Sequence, residues 1–238
     1  MNIIIVGGER GIGQALVQQL RQERSHQLII TSRTAKLRAD ESLAYHPLDI
    51  SDTDSIATFS QWTKSTFSHI DWVINCAGIL HTDKYRPEKS LKQVNQLQLQ
   101  DNFMTNAAGH LLLLKALEKQ LAASSAGLAT SISARIGSIS DNKLGGWYAY
   151  RMSKAALNMA YKTLSIEWKR NYPQLKLLLF HPGTTATNLS APFQKNVPDG
   201  KLHSVEKTAR YYLEVIHDTL QQKQAALFRD YAGETITW

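Results

Sequence analysis

Short apolar runs rich in β-branched residues alternate with helical patterns along almost the whole chain. Seven runs predict strands, at Ile3–Val6, Gln27–Thr31, Leu43–His46, Trp72–Asn75, Leu128–Ser133, Leu175–Phe180 and Ala225–Phe228. Five helices are predicted, over Gly11–Gln22, Asp52–Ser65, Leu91–Leu121, Tyr148–Lys169 and Val205–Gln222. This order is typical of a parallel sheet that is covered by helices on both faces. We therefore predict an α/β fold with a doubly wound, mostly parallel sheet of seven strands.

The chain has no internal repeat, low-complexity tract or linker-like stretch. Its 238 residues fit one large α/β domain more easily than two small ones. We therefore predict a single Rossmann-like domain over residues 1–238. The segment 184–203 is the one long irregular stretch, rich in Pro, Gly, Asn and Ser. A loop of this length in a compact domain is usually a lid or a binding loop.

Positive charge is in excess, with 27 Lys and Arg against 20 Asp and Glu and a net charge of +7. A solvated basic surface explains this best, and a small ligand that carries phosphate comes second. Nucleic acid is a third and weaker explanation, because no basic block and no alternation of aromatic and basic residues supports it. We therefore expect no nucleic-acid partner.

The cysteine content and the apolar stretches indicate the cellular compartment of the protein. The single cysteine, Cys76, excludes an internal disulfide and agrees with a reducing cytoplasm. No stretch approaches the roughly 20 apolar residues of a membrane span, and the first residues lack the pattern of a secretory signal. We expect a cytoplasmic protein without a membrane span. The eight histidines lack metal-ligand spacing, so no metal site is expected.

Three glycines, Gly7, Gly11 and Gly13, follow the first predicted strand and lead into the first helix. Such a loop lets the chain turn sharply and lets a phosphate approach main-chain N–H groups at a helix N-terminus. Its spacing is G-x-x-x-G-x-G rather than the more familiar G-x-G-x-x-G. A purely structural turn is the alternative, but the position after the first strand of an alternating chain favours a nucleotide site at the carboxyl edge of the sheet.

The end of the second predicted strand bears on the choice of dinucleotide. Folds selective for NAD place a carboxylate there for the ribose 2′-hydroxyl. This chain has Ser32 and Arg33 instead, with Arg10 in the glycine loop. Guanidinium groups suit phosphate oxygens, which a carboxylate would repel. We therefore predict NADP(H), with NAD(H) less favoured; ordinary surface charge is the alternative interpretation of both arginines.

The stretch GGWYAYRMSKAAL places Tyr150 and Lys154 four residues apart, so on a helix they share one face. A free tyrosine has a pKa of about 10. A neighbouring ammonium favours the phenolate and brings the group nearer to the range useful for acid–base work. The same spacing also starts at Tyr85 and at Tyr172, where an intervening proline disfavours a helix. The spacing by itself therefore does not separate a catalytic pair from a solvated one.

Several ordered motifs resemble those of the short-chain dehydrogenase/reductase family, and the resemblance covers nearly the whole chain. The motifs are VGGERGIG, LDISD, NCAG, NAAG, the Tyr-x-x-x-Lys pair and HPGTTAT. Val6 stands in place of the usual threonine, and Cys76 in place of an asparagine. The resemblance implies cofactor contacts from Gly7, Gly11, Ile12, Gly13, Asp49, Ile50, Asn75, Ala77, Gly78, Tyr150, Lys154, Pro182, Gly183 and Thr187, of which Asp49 and Ile50 would contact adenine and the last three nicotinamide.

The resemblance also implies a reaction. Tyr150 would exchange a proton with the oxygen of a small carbonyl or alcohol substrate while hydride passes between the substrate and NADP(H). Lys154 would in addition bind the nicotinamide ribose. Asn106, in NAAG, would help to hold a water in a proton relay, with an ordinary polar helix residue as the alternative.

One position departs from the family pattern. The family uses a serine hydroxyl at the end of the fifth strand to hold the substrate oxygen, but that slot in SISARIGSIS contains Ala134. Ser138 is slightly favoured as the replacement, because Ser133 should point to the opposite face of a regular strand. Loss of the hydroxyl would weaken stabilisation of the developing charge, which leads us to consider slow, narrow or absent activity.

Within the family, SARIGSISDNKLGGWYAYRMSKAALN and the ending DYAGETITW resemble the C-factor and Sniffer-like carbonyl reductase branch. A carbonyl reductase is the first hypothesis. The second is a C-factor-like cell–cell signalling protein with little or no catalysis, which Ala134 favours. The resemblance also implies a homodimer or homotetramer formed by paired helices. We expect specificity to reside in segment 184–203 and in the loop after Gly78, where His81 is a weak candidate for a substrate contact.

Overall fold

The computed structural model describes residues 1–23, 25–39, 42–222 and 226–238. Its α-helices are α1 Gly11–Leu20, α2 Thr53–Thr66, α3 Gln96–Phe103, α4 Gly109–Ala122, α5 Tyr148–Asn171 and α6 Val205–Gln221. Its strands are β1 Asn2–Val6, β2 Gln27–Ser32, β3 Arg38–Ala39, β4 Leu43–Pro47, β5 Trp72–Asn75, β6 Leu128–Ile132, β7 Lys176–His181, β8 Thr184–Thr185, β9 Leu202–His203 and β10 Ala226–Asp230. None of the described helices is long and apolar enough to cross a membrane.

The main sheet has the strand order β10-β7-β6-β5-β1-β2-β4-β3. All seven predicted strands are present and pair in parallel, so the doubly wound α/β fold is confirmed. The predicted number of strands is wrong by one, because the two-residue strand β3 adds an antiparallel edge. Both of its residues are exposed, so they leave no apolar pattern in the sequence. Ala225, predicted as the first residue of the last strand, lies outside the described residues.

The winding of the sheet reverses at β1, which lies between β2 and β5. The carboxyl ends of β1 and β5 therefore border a crevice of the kind in which doubly wound folds bind ligands. The loops that leave these two strands touch, because a Cβ placed on Gly7 would lie 3.3 Å from the main-chain nitrogen of Ala77. The glycine loop and the NCAG motif thus meet at one edge of the sheet.

Two apolar layers cover the two faces of the sheet. Along β1, Ile4 belongs to the layer with Phe59 of α2 and Leu117 of α4, whereas Ile5 belongs to the layer with Leu16 of α1. This alternation follows from the two-residue period of a strand. Because both faces are covered, β1 reads as a continuous apolar run rather than as an alternating one.

The helix predicted over Leu91–Leu121 is interrupted in the structure. A 3-10 turn at Leu91–Gln93 precedes α3, and a π-helical segment, Met104–Ala108, separates α3 from α4. The side chain of Asn95 caps α3 by accepting a hydrogen bond from the Gln98 N–H, which starts a new helix where periodicity alone continues the old one. The π-helical segment contains Asn106.

The segment 184–203 has more regular structure than the predicted loop. Its ends form the parallel pair β8 and β9, and a 3-10 helix spans Ala191–Asn196. Ser190 stabilises the turn between β8 and the 3-10 helix, since its hydroxyl donates to the main-chain oxygen of Thr185 at 2.5 Å. Strands of two residues are too short to produce a sequence pattern, which explains why they were missed.

Candidate active site

Tyr150 and Lys154 lie on the first two turns of α5. Lys154 is only 2% exposed, and its Nζ donates a hydrogen bond of 2.8 Å to the main-chain oxygen of Ile132, the last residue of β6. The same Nζ lies 5.8 Å from the centroid of the Tyr150 ring. The amine is therefore held beside the phenol inside the protein rather than in bulk water.

The other two Tyr-x-x-x-Lys spacings have no such geometry. Tyr85 is buried, with its hydroxyl donating to Asp101 at 3.2 Å, whereas Lys89 is exposed in a loop. Tyr172 follows the last residue of α5 and Lys176 begins β7, so no helix carries both. Only the pair on α5 combines a shared helix face with a buried amine.

Burial governs the ionisation of this pair. It lowers the pKa of Lys154 to about 7 and raises the pKa of Tyr150 to about 12. From the sequence we expected the ammonium to lower the tyrosine pKa, but the cost of desolvating a phenolate outweighs that attraction here. At neutral pH the phenol keeps its proton and the amine is only partly charged. A protonated phenol therefore lies beside a partly charged amine.

Asn106 is fully buried and joins the loop after β5 to α5. Its Nδ2 donates to the main-chain oxygen of Ile79 at 2.8 Å and to Ser153 Oγ at 3.0 Å, while its Oδ1 accepts from the Ile79 N–H at 2.7 Å. A Cβ placed on Gly78 would lie 3.3 Å from Asn106 Oδ1 and 3.8 Å from Lys154 Nζ. Asn106, Gly78 and Lys154 therefore converge, and the Asn106 side chain is engaged in holding the loop.

Ser133 and Ser138 are both buried but have different partners. The Ser133 hydroxyl donates to Asn158 Oδ1 at 2.6 Å, which commits it to α5. The Ser138 hydroxyl lies 3.3 Å from a neighbouring serine hydroxyl. The residue before it, Gly137, packs so closely on α5 that a Cβ there would come within 2.7 Å of the main-chain carbon of Lys154. Of the two, Ser138 has the weaker partner and adjoins a residue in contact with Lys154.

The glycine loop presents main chain to the crevice. Gly7 has a φ of +74°, which side chains disfavour, and a Cβ on Gly13 would come within 2.3 Å of the Gly7 oxygen. Arg10 is exposed at the N-cap of α1, where no side chain caps the helix. A Cβ on Gly11 would lie 3.6 Å from the Thr187 side chain, so the loop faces the stretch after β7. These features fit the diphosphate of a dinucleotide at the α1 N-terminus.

An acidic residue stands where a 2′-phosphate was predicted. Ser32 Oγ donates a short hydrogen bond to Glu9 Oε2, which brings a carboxylate from the glycine loop to the end of β2. Arg10 follows Glu9 in the chain and Arg33 follows Ser32, and both arginines are exposed. The expectation that no acidic residue lies at this edge is therefore wrong. Glu9 is 23 residues from Ser32 in sequence, so the pattern at the end of β2 does not indicate it. Its charge opposes a phosphate that the two guanidiniums attract.

The remaining predicted cofactor residues lie where strands end on the same edge. Asn75 ends β5, and its Oδ1 accepts from the Ala77 N–H at 3.0 Å, which shapes the NCAG turn. Asp49 follows β4, and its Oδ1 accepts from the Ser51 N–H at 2.9 Å. The other predicted cofactor residues also come after the ends of strands. Ile12 follows β1, Ile50 follows β4, Gly78 follows β5, Pro182 and Gly183 follow β7, and Thr187 follows β8.

Glu88 is a site residue that no sequence pattern indicated. It is 1% exposed, and its main-chain oxygen accepts from the Trp147 N–H at 2.6 Å while its carboxylate accepts from the Ala149 N–H at 3.1 Å. Trp147 has the left-handed φ of +53° and supplies no side-chain cap to α5. Glu88 therefore caps this helix from a distant loop and fixes where Tyr150 stands.

Aromatic side chains flank Tyr150. The Trp147 ring centroid lies 6.3 Å from that of Tyr150 and 4.9 Å from that of Phe193, in the 3-10 helix of segment 184–203. The His81 ring lies 6.2 Å from Phe193, and its Nε2 is 3.2 Å from the main-chain oxygen of Leu189. Segment 184–203, the loop after β5 and the start of α5 thus share one aromatic wall.

A model of the short chain dehydrogenase family matches residues 1–198. The chain belongs to the short-chain dehydrogenase family, a family of oxidoreductases. C-signal of Myxococcus xanthus is 33% identical over 170 residues, which cover 71% of this chain and 93% of C-signal. The predicted resemblance to this family and to its C-factor branch is thereby confirmed.

Solved structures agree with this assignment. Carbonyl reductase Sniffer of D. melanogaster superposes with a TM-score of 0.81 at 23% identity, covering 100% of this chain and 99% of that one. A carbonyl reductase from Pseudomonas aeruginosa PAO1 in complex with NADP superposes with a TM-score of 0.73 at 25% identity, with the same coverage of 100% and 99%. The predicted Rossmann-like fold is thus common to this chain and both reductases.

We predict that Lys154→Met stabilises the protein more below pH 7 than at about pH 10. The folded pKa of Lys154, about 7, lies below the ordinary 10.5, so between these values the unfolded chain holds a proton that the folded chain has lost. Wild-type stability therefore rises with pH across this window, by at most about 1.4 kcal/mol per pH unit. Methionine removes this dependence.

Chemical denaturation of both proteins across this pH range measures the effect. Lys169→Met, at an exposed position near the end of the same helix, is the matched control and should show no such trend. A stability difference between Lys154→Met and wild type that does not change with pH would contradict the lowered pKa.

Proposed function

We propose that the protein is an NADP(H)-dependent oxidoreductase that interconverts an aldehyde or ketone and the corresponding alcohol. The observation that carries this proposal is the buried Lys154 amine beside the Tyr150 ring, at the carboxyl edge of the sheet next to the glycine loop. Bound nicotinamide would supply or accept the hydride. Tyr150 donates the proton that the reduced oxygen needs, or takes it back in the reverse direction.

The neighbouring residues have distinct roles in this proposal. Lys154, held by Ile132, supplies positive charge next to the phenol and a donor for the nicotinamide ribose. Asn106 fastens the loop at Ile79, and any relay water would contact its main chain, because its side-chain amide is already engaged. Ser138 holds the substrate oxygen in place of the missing hydroxyl at Ala134, since the Ser133 hydroxyl is committed to α5.

The proposed cofactor preference rests on Arg10 and Arg33, which offer guanidinium groups to a 2′-phosphate. The Pseudomonas aeruginosa reductase, whose structure contains NADP, supports the same choice. Glu9 weakens this preference, because its carboxylate reaches the end of β2. We therefore expect NADPH to be favoured over NADH by a smaller margin than two arginines alone would produce.

A second candidate function is cell–cell signalling with little or no catalysis. It is favoured by the similarity to C-signal and by Ala134 in the slot of the family serine. The two functions differ in whether Tyr150 supports turnover, which the first of the following experiments measures.

We predict that Tyr150→Phe lowers kcat/KM for carbonyl reduction by at least about 100-fold, because phenylalanine has no proton to donate. NADPH oxidation with a panel of aldehydes, ketones and quinones is the measurement. Tyr148→Phe is the matched control, two residues earlier on the same helix, and should retain wild-type turnover. Equal turnover by Tyr150→Phe and wild type would remove Tyr150 from the mechanism, and NADPH binding without turnover of any substrate would favour signalling.

We predict that Arg33→Ser raises KM for NADPH by about tenfold and changes KM for NADH by less than about twofold, because only NADPH presents a 2′-phosphate. Glu9→Gln should act in the opposite direction and lower KM for NADPH. Arg21→Ser, at an exposed position after α1, is the control. Parallel changes with both cofactors would show that neither residue reads the 2′ position.

We also propose a homodimer or homotetramer. Met152, Met159 and Ile166 are 59%, 65% and 56% exposed and form a stripe along α5, with Leu111 of α4 also partly exposed. We predict that Met159→Glu converts the assembly to monomers, because a carboxylate in an apolar contact is left without compensation. Sedimentation velocity measures this, with Ala57→Glu on exposed α2 surface as control. An assembly unchanged by Met159→Glu would exclude this face.

Four further expectations stay proposals. We propose that residues 1–238 form one domain, because the main sheet contains strands from both ends of the chain. Segment 184–203 is proposed as the substrate lid, since Phe193 lies against Trp147 beside Tyr150. The absence of a nucleic-acid partner and a cytoplasmic location stay predictions from charge pattern and cysteine content.

A further inference from the structure

A polar cavity lies beside the candidate active site, at the carboxyl ends of β7 and β10. It has a volume of about 260 Å³. The side chains that line it are Arg135, His181, Thr184, Lys201, Asp230 and Tyr231. Gly183, from the stretch assigned to nicotinamide, forms part of its wall, so the cavity adjoins the proposed cofactor site without containing Tyr150 or Lys154.

Two stretches that stood out in the sequence meet at this cavity. Arg135 belongs to SARIGSISDNKLGGWYAYRMSKAALN and Asp230 to DYAGETITW. Arg135 Nη2 donates to Asp230 Oδ2 at 2.9 Å, and the hydroxyls of Ser140 and Thr237 lie 2.9 Å apart. The proposed reaction uses neither Arg135 nor Asp230.

Asp230 orients Arg135 rather than repelling an anion. The carboxylate is 7% exposed, and its Oδ1 accepts from the main-chain N–H groups of Ala232 and Glu234, each at 3.0 Å. Its Oδ2 is taken by Arg135. Every oxygen of this carboxylate is therefore engaged, and its negative charge is compensated. The rest of the guanidinium, which is 45% exposed, keeps N–H donors for another group.

Two further groups at the cavity lack partners. His181 Nδ1 is buried and has no hydrogen-bond partner among the residues that the structure describes. Burial, assisted by Arg135, lowers the pKa of His181 to about 4, so the ring is neutral at pH 7 and one tautomer offers an Nδ1–H donor. Lys201 is exposed and forms no ion pair within the described part of the chain.

We propose that this cavity binds a carboxylate or phosphate group, held by Arg135, Lys201 and His181. Two cationic side chains border one space that a neutral imidazole also lines. Of the two carboxylates near Arg135, that of Asp230 is already compensated, and that of Asp141 lies 3.9 Å from Arg135 Nη1. Charge-assisted hydrogen bonds of this kind suit the planar or tetrahedral oxygens of such anions. The anion is either the tail of the carbonyl substrate, in which case the inference rests on the proposed function, or a separate small anion.

Titration with inorganic phosphate, followed by ³¹P NMR at constant ionic strength, tests the site without any need for turnover. We expect Lys201→Gln and Arg135→Gln to weaken phosphate binding by about tenfold each. Lys195→Gln, an exposed lysine in the same segment, should leave this binding unchanged.

Lys201→Gln is the decisive variant, because Lys201 is exposed and its replacement disturbs no internal contact. Arg135→Gln, in contrast, also breaks the ion pair with Asp230. Phosphate affinity equal to wild type in Lys201→Gln overturns the proposal. So does equal loss in Lys195→Gln or the absence of phosphate binding by wild-type protein. Because the titration is independent of catalysis, an inactive protein that binds phosphate here would contradict the proposed function alone.

Kinetics with 2-, 3- and 4-oxo acids and their methyl esters distinguish the two sources of the anion. For a substrate tail, Lys201→Gln should raise KM for an acid by about tenfold and leave KM for its ester unchanged, and phosphate should compete with the acid. For a separate anion, KM for acid and ester should be equally unaffected while phosphate binding is still weakened. Either result supports the site and identifies its occupant.

Discussion

The hydrogen bond from the Lys154 amine to the main-chain oxygen of Ile132 ties α5 to the carboxyl end of β6. The candidate active site depends on this contact, because it keeps the Lys154 amine inside the protein beside the Tyr150 ring. Desolvation of each group lowers the pKa of Lys154 and raises the pKa of Tyr150. A site built in this way favours a protonated phenol, which is the form that carbonyl reduction consumes.

Electrostatic compensation recurs along the same edge of the sheet. At one end Glu9 lies on Ser32, close in sequence to Arg10 and Arg33, and moderates the attraction of these arginines for a phosphate. At the other end Asp230 engages Arg135 with the help of two main-chain N–H groups, which orients the guanidinium. A carboxylate near an arginine therefore has opposite effects at the two ends. Glu9 weakens the predicted 2′-phosphate site, whereas Asp230 orients Arg135 at the proposed anion site.

Much of the fold was predictable because strands of four to six residues and amphipathic helices leave periodic apolar patterns. The two-residue strands β3, β8 and β9 leave no such pattern, and they were missed. The helix predicted over Leu91–Leu121 is broken before α3, where Asn95 caps the new helix, and again at the π-helical segment Met104–Ala108. Neither break interrupts the apolar periodicity of the sequence. Glu88 acts on α5 across 61 residues of sequence, so no local pattern indicates it.

The sequence by itself determined the doubly wound fold, the glycine loop and the choice of Tyr150 and Lys154 as the candidate catalytic pair, because local spacing and ordered motifs encode these features. Only the tertiary structure decided which of the three Tyr-x-x-x-Lys spacings buries its amine. It also decided that Glu9 reaches Ser32 and that Arg135 meets Asp230. Desolvation and long-range ion pairing depend on distances in space, and side chains far apart in the chain acquire those distances only when the sheet has assembled.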